Sequence, residues 1–484
     1  MPATRIRLQT GDDTTLAQGI AAIRSEMKLP LAFPPEVEAE AAKAAAQPRL
    51  PELDRTDIPL VTIDPPGSMD LDQALHLARR DGGGYRVHYA IADVAAFVAP
   101  GGAVDAEAHR RGETLYGADS RIPLHPTVLS EGAASLLPDQ LRPALLWTID
   151  LDASGEIAAV DVRRARVKSR ARLDYAGVQQ QLDAGTADPL WTLLREVGEL
   201  RQQREQARGG VNLALPEQEV SVADGQWQLV YRANRPDEDW NAQISLLTGM
   251  AAAQLMVKGK VGILRTLPPP QPQDIVRLKR TAQALAIAWP DGQGYPDFIR
   301  TLDPSQDTHV AMLTACTTVL RGAAYAAFDG ALPAQPLQSA VAAEYAHATA
   351  PLRRLVDRYV GEVCVALCAN QPVPDWARAA LPSLPGLMAE ADRRAKHYER
   401  QVLDLVEAVL LSSRVGETFT GSIIEIDDAH GNGHQGTVML RDPAIAAGVG
   451  SSAPLRLGQP VTVRLATADP AKRLVRFELV AGAP

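Results

Sequence analysis

Cysteine is scarce in this 484-residue chain: three thiols, Cys316, Cys364 and Cys368. An odd, sparse count excludes a disulfide framework. Cys364 and Cys368 lie one helical turn apart, but no His or Cys stands at zinc spacing from them, so all three read as small core residues. Long apolar runs are missing as well. No stretch of about 18 uncharged apolar residues occurs, which argues against a membrane-spanning helix. Met1 to Asp13 lacks the apolar segment of a secretory leader, so the expected setting is reducing and cytoplasmic, with no membrane partner. Charge of one sign is not abundant either: 49 Lys+Arg stand against 58 Asp+Glu, a net charge of −9. A mildly acidic molecule does not adhere non-specifically to DNA or to membranes. A nucleic-acid site would have to be a local basic channel. Lysine is rare, eight residues against 41 arginines. GC-rich codon usage explains that bias; so does a need for bidentate phosphate contacts.

The length suggests roughly three domains at about 150 residues each. With 46% hydrophobic and 22% charged residues, the composition is globular. Residues 1–48 read as a small helical domain. Leu16, Ile20, Ile23 and Met27 recur at helical spacing behind the cap candidates Asp13 and Thr14, and a second helix fits Pro35 to Gln47. The pair fits a helix-turn-helix or, equally, a helical cap on the next domain. Residues 59–175 are richer in strand patterns: Leu60 to Ile63 is a short buried run, and Tyr85, Val87, Tyr89 and Ile91 alternate like a half-buried strand. Helical patterns dominate from about 185 to 410 and end in one long helix over about 384–411. Residues 415–484 turn β-like, with runs at Thr418–Ile424, Gly436–Leu440, Val461–Ala466 and Leu474–Leu479. Five or so short strands there suit an OB-fold barrel. The fold class expected is α+β, a core of mixed sheets and helices at 49–412 between the helical domain and the barrel.

The most informative segment runs Thr62-Ile63-Asp64-Pro65-Pro66-Gly67-Ser68-Met69-Asp70-Leu71-Asp72-Gln73-Ala74. Three Asp fall within nine residues after a buried strand. Pro65, Pro66 and Gly67 forbid a helix, so the segment is a loop. Asp70 and Asp72, two apart, share one face of an extended chain, and a turn at Pro-Pro-Gly could return Asp64 beside them. Converging carboxylates repel unless a hard cation lies between them, which points to Mg2+, with Mn2+ the alternative. Such a site activates water and clamps a phosphodiester. A solvated Asp-rich turn explains the segment equally well. The spacing is not that of an EF-hand.

Three basic clusters stand elsewhere. Arg163, Arg164, Arg166, Lys168, Arg170 and Arg172 fall on what looks like a strand entering a turn. In Tyr345 to Arg358, Pro351 suits the first position of a helix, which would put Arg353 in the first turn, where free amides favour an anion. Arg393, Arg394, Lys396 and Arg400 lie on the long helix. Each cluster taken alone is also what a solvated charged face looks like. His347 and His397 read as structural.

Taken in order, these residues resemble the ribonuclease II/ribonuclease R (RNB) family of exoribonucleases. Asp64 to Ala74 resembles its metal-site signature. Ile91-Ala92-Asp93-Val94 and Ser120-Arg121-Ile122-Pro123-Leu124-His125-Pro126 are similar to its next stretches. Ser169-Arg170-Ala171-Arg172-Leu173-Asp174-Tyr175 and Thr349-Ala350-Pro351-Leu352-Arg353-Arg354, with Asp357 in register, resemble its later ones. The tail resembles the family's S1-type barrel by strand pattern. The resemblance implies a processive, Mg2+-dependent 3′→5′ exoribonuclease that releases 5′-mononucleotides from single-stranded RNA or RNA with a 3′ overhang, acting as a monomer. It implies Asp64, Asp70, Asp72 and Gln73 around the metal, and Asp70, Asp72 and Arg353 as catalytic. Tyr116, Tyr175, Arg353, Arg354 and Glu399 would contact RNA, Tyr116 by stacking on a base.

The departures from the pattern bear on activity. Gln73 stands where the family has a fourth Asp, Ala350 where it has Ser, Leu355 where it has an aromatic, and Leu267 where a His is common. The 48 helical residues at the front cannot form the family's cold-shock barrels. A non-catalytic RNA-binding member with a weakened metal site is the alternative, and a general two-metal DNA nuclease a further one.

Overall fold

The computed structural model describes residues 14–117, 120–215, 217–223, 226–427 and 433–480. The fold is α+β. At its centre is a four-stranded antiparallel meander of Gln73–Arg79, Tyr85–Ala92, Leu141–Leu151 and Ile157–Lys168, in that spatial order. The sheet lies between two apolar layers. Leu75, Val87, Tyr89, Trp147 and Ile149 face the helices Pro236–Gly259 and Leu355–Cys368. Ala74, Ala90, Ala92, Ala144, Leu146 and Ala165 face the opposite layer with Phe97 and Leu352. The strand Tyr85–Ala92 is therefore not half-buried as its alternation suggested. From Val87 onward every residue is buried, because both faces of the sheet are covered.

The two N-terminal helices form, at Thr14–Glu26 and Pro35–Ala46. Asp13, expected as a cap, lies outside the described residues. The helices share no core. Leu16, Ile20 and Ile23 join a core with the long helix and the C-terminal strands, whereas Val37 and Ala41 join the layer beneath the sheet. That arrangement is a helical cap rather than a self-packed helix-turn-helix. At Gly19 the first helix crosses the long one closely: a Cβ there would lie 2.6 Å from Leu405 Cδ2.

The long helix spans Leu384–Leu411, as the pattern predicts, and buries Met388, Ala391, Ala395, Tyr398, Val402 and Leu405 along one side. Beyond it five strands close a barrel in the order Thr418–Ile426, Gln435–Leu440, Ile445–Gly450, Leu474–Leu479, Pro460–Asp469, consistent with an OB-fold. Phe419, Val438, Val449, Val463 and Phe477 fill its interior. The barrel is not a loose appendage. Its core is continuous with the long helix and the first helix, and Arg473 reaches Glu26 at 2.6 Å and Gln401 at 2.6 Å. On the other side Arg441 and Ser422 hold Asp307. The helix-rich stretch also contains an unforeseen hairpin, Glu217–Ala223 with Gln226–Arg232. Cys316 and Cys364 are buried, and all three thiols are free.

Candidate active site

The site is built where the Asp-rich loop enters the sheet. Thr62–Ile63 pairs in parallel with Arg172–Leu173, and Asp64 follows it with its amide on Leu173 O. The chain then turns. Ser68 N donates to Pro65 O at 3.1 Å and Gly67 has φ +82°, the type II geometry that Pro followed by Gly encodes. Ser135 pins the loop on both sides of Asp70. Its hydroxyl donates to Met69 O at 2.6 Å and accepts from Leu71 N at 3.0 Å. The strand starts at Gln73, so Asp72 is held at its edge, with its carbonyl on Ala92 N.

Asp70 and Asp72 meet cations and amides from distant segments. Asp70 Oδ1 accepts from Arg121 Nη1 at 2.5 Å, and Arg121 also pairs with Glu131 at 2.8 Å. Asp72 is 5% exposed; its Oδ1 accepts from Leu352 N at 2.7 Å, and its Oδ2 lies 3.6 Å from Arg353 Nε. Burial pushes the Asp72 carboxyl well above the usual carboxylate range, against the pull of Arg353 and helped by repulsion from Asp70. Burial raises Asp70 too, although Arg121 opposes it. Tyr116 sits opposite Arg121 in a short hairpin, within electrostatic reach of Arg353, Asp70 and Asp72, and burial pushes its phenol up. Asp70, Asp72, Arg353 and Tyr116, four of the residues singled out in the sequence, thus share one neighbourhood.

Arg353 does not sit in the first turn of a helix. The helix begins at Leu355, and residues 350–353 form a tight turn before it. The reason is Asp357. Its buried carboxylate accepts from Ala350 N at 2.8 Å and grips Arg354 through two contacts, at 2.6 and 2.8 Å. These contacts hold the preceding residues off the helical path. Arg354 is consequently a brace of the turn, not an open RNA contact. Arg353 points elsewhere, 43% exposed, its guanidinium still able to meet an anion.

Gln73 is removed from the expected ligand set. Its Nε2 donates to Thr349 O at 2.6 Å, and its Oε1 accepts from the hydroxyls of Tyr89 and Ser245. Both polar ends of the amide are taken by protein. Tyr175 opens its helix behind an Asp174 cap, and its hydroxyl accepts from Asn241 Nδ2 at 2.9 Å. Glu399 lies on the long helix, where burial and repulsion from Asp392 raise it to about 7. Glu113 is raised to about 7 by burial and by Asp392, with Glu399 adding to it and Arg354 opposing.

The other basic clusters are largely neutralised. Arg163 pairs with Asp161, Arg164 with Asp93 and Glu362, Arg166 with Asp54 and Lys168 with Asp139. On the long helix Arg393, Lys396 and Arg400 pair with Glu390, Asp392 and Asp404. Arg121, Ser135, Tyr89 and Ser245 were not foreseen as site residues. Arg121 lay within a quoted motif; nothing local marked the other three.

Among the described residues no group of three or more His, Cys, Asp or Glu converges as a metal-holding set. The expected closure of Asp64 onto Asp70 and Asp72 is not formed, because Asp70 turns to Arg121 and Asp72 to Leu352 and Arg353. The donor chemistry nevertheless fits a hard divalent ion. Half-buried Asp70 and buried Asp72 both have raised pKa values despite their arginines, so positive charge is in short supply.

The sequence profile of the RNB domain matches residues 53–369, well over half of the chain. The chain belongs to the RNB family. A second profile, the RNase II-type exonuclease C-terminal S1 domain, matches residues 417–480, the barrel. Ribonuclease R of Escherichia coli is 25% identical over 97% of this chain. The chain spans 63% of that relative's length. The human exosome complex exonuclease RRP44 is 28% identical over 65% of this chain and 34% of its own. Among solved structures, Mycoplasma genitalium RNase R, in complex with ribose methylated single-stranded RNA, superposes with TM-score 0.84 at 20% identity, covering 97% of this RNB chain and 79% of that one. Yeast Ssd1, described as a pseudonuclease, superposes with TM-score 0.68 at 14% identity, over 93% of this chain and 58% of its own. The fold therefore accommodates members with and without catalysis. Among the described residues no helix is long and apolar enough to cross a membrane.

Proposed function

We propose that this RNB-family protein is a 3′→5′ exoribonuclease that hydrolyses single-stranded RNA, or the 3′ overhang of a duplex, processively to 5′-mononucleotides. One observation carries the reading: half-buried Asp70 and buried Asp72 share a neighbourhood with a half-exposed Arg353 and with Tyr116. A phosphodiester needs this combination, carboxylates on one side and an anion-binding guanidinium on the other. Arg353 holds non-bridging phosphate oxygens and offsets the charge that grows on them. Leu352 N fixes one oxygen of Asp72, which leaves the other directed to the Arg353 side. Tyr116 stacks on a base near the 3′ end without demanding its identity. The strong pairing of Arg121 with Asp70 keeps that carboxylate oriented. Asp70 and Asp72, with Asp64 drawn in when the loop closes on the ion, would hold Mg2+ or Mn2+, which when bound supplies Lewis-acid charge and lowers the pKa of water. The protein works as a cytoplasmic monomer, and its barrel adds RNA contacts outside the centre.

The test uses a uniformly labelled RNA, a matched DNA and a duplex with a 3′ overhang, with and without Mg2+. Mononucleotide release from RNA alone, dependent on Mg2+, is the expected result. RNA binding without release would overturn the hydrolase reading in favour of an RNA-binding pseudonuclease. Equal degradation of DNA would overturn the RNA specificity.

A further inference from the structure

We propose that Gln73 is a positioning residue, which sets the distance between Asp72 and the turn that carries Leu352 and Arg353. The proposal rests on the exoribonuclease reading and adds a residue to its machinery. Gln73 is bonded on both sides. Its Nε2 donates to Thr349 O at 2.6 Å, three residues before Leu352, whose amide holds Asp72. Its Oε1 accepts from Tyr89 of the neighbouring strand and from Ser245 of the helix Pro236–Gly259, and those two hydroxyls lie 2.9 Å apart. Strand, helix and turn therefore meet at one amide, adjacent in sequence to Asp72.

The chemistry at this position selects an amide. Thr349 O can only accept, so the group facing it must donate. Tyr89 donates its phenolic proton, so the group facing it must accept. A carboxylate would set its oxygen against the carbonyl of Thr349, and a thioether would leave the carbonyl and the phenol unanswered in a half-buried site. Asp is also one methylene shorter and would not span to Thr349. The amide at 73 is consistent with this geometry and is not a weakened metal ligand. Loss of the tie releases the turn and moves Arg353 relative to Asp72. A displacement of about 1 Å at such a point costs about 10²-fold in rate.

The experiment compares the full-length protein with Gln73→Met, Gln73→Asp, Tyr89→Phe and the Gln73→Met/Tyr89→Phe double variant. It reads kcat and KM for mononucleotide release, the Mg2+ midpoint, and amide hydrogen exchange over residues 349–354. Gln73→Met should lower kcat by about 10²-fold with KM and the Mg2+ midpoint unchanged, and exchange over 349–354 should quicken. Gln73→Asp should be no better than Gln73→Met. The double variant should be no slower than Gln73→Met alone, because both changes break one tie. Retained kcat with a raised Mg2+ midpoint would restore Gln73 as a metal ligand and overturn the proposal. Fully multiplicative losses in the double variant, or unchanged exchange over 349–354, would overturn it as well. If the parent protein binds RNA but releases no nucleotide, the exoribonuclease reading fails instead. The exchange measurement then still decides whether Gln73 holds the turn.

Discussion

Two arginine-rich segments of this molecule have opposite fates. The strand Ile157–Lys168 carries Arg163, Arg164, Arg166 and Lys168, and each of them pairs with a carboxylate. The turn at 350–354 carries only Arg353 and Arg354. There Asp357 takes one guanidinium completely, while the other stays 3.6 Å from Asp72 and 43% exposed. The strand has more cations, and each has its own carboxylate. Arginine density therefore does not locate an anion site. What locates it is a half-exposed guanidinium set beside the Asp70–Asp72 pair.

The comparison can be broken at its centre first. Asp72→Asn removes the negative charge that faces Arg353, and mononucleotide release should fall by at least about 10²–10³-fold. RNA affinity, measured by filter binding, should change little. Activity above about a tenth of the parent would show that Asp72 is not at the reacting phosphate. Arg353→Lys is expected to cost about tenfold or more in kcat, because an ammonium cannot make the bidentate contact of a guanidinium. A normal turnover number would place the scissile phosphate elsewhere.

Buried carboxyls extend the contrast. Asp357 has a guanidinium on it, whereas Glu407, 4% exposed, has the amide of Gln218 at 3.0 Å. Burial raises Glu407 from 4.5 to about 7. In the unfolded chain it ionises at the lower value, so between the two the folded state binds more protons. Stability must fall as pH rises through that window. Glu407→Gln should raise the melting temperature at pH 8 and do much less at pH 5. The gain is at most about 3 kcal/mol at the higher pH. Equal shifts at both pH values would rule out the carboxyl as the cause. The smallest effect is expected on the strand. Arg163→Ala, at an exposed pair with Asp161, should change stability by no more than about 0.5 kcal/mol in a urea melt and leave RNA affinity intact. A clear loss of RNA binding would make this face part of the RNA path.

Elements with a strong period were legible in the sequence. The long helix over Leu384–Leu411 and four of the barrel strands follow from spacing alone. The fifth, Ile445–Gly450, reads Ile-Ala-Ala-Gly-Val-Gly, too small and too glycine-rich to announce a strand. The hairpin from Glu217 to Arg232 was missed because it lies within a stretch dominated by helical patterns. Asp70, Asp72 and Arg353 could be named because each stands in a short motif, whereas Tyr116 came only from the family resemblance. The roles of Gln73 and Arg354 could not be read, since each is decided by an acceptor or carboxylate that only the folded chain supplies. Pro351 suggested a helix start, but Asp357 delays that start to Leu355.

The contact between Glu26 and Arg473 joins positions 447 residues apart. A ribosome adds about 5–20 residues per second, so Glu26 is made roughly 20 to 90 seconds before Arg473. Until the long helix and then the barrel follow, Leu16, Ile20 and Ile23 lack the partners that cover them. A chain arrested before the long helix and the barrel leaves Leu16, Ile20 and Ile23 as uncovered apolar surface for chaperones and proteases.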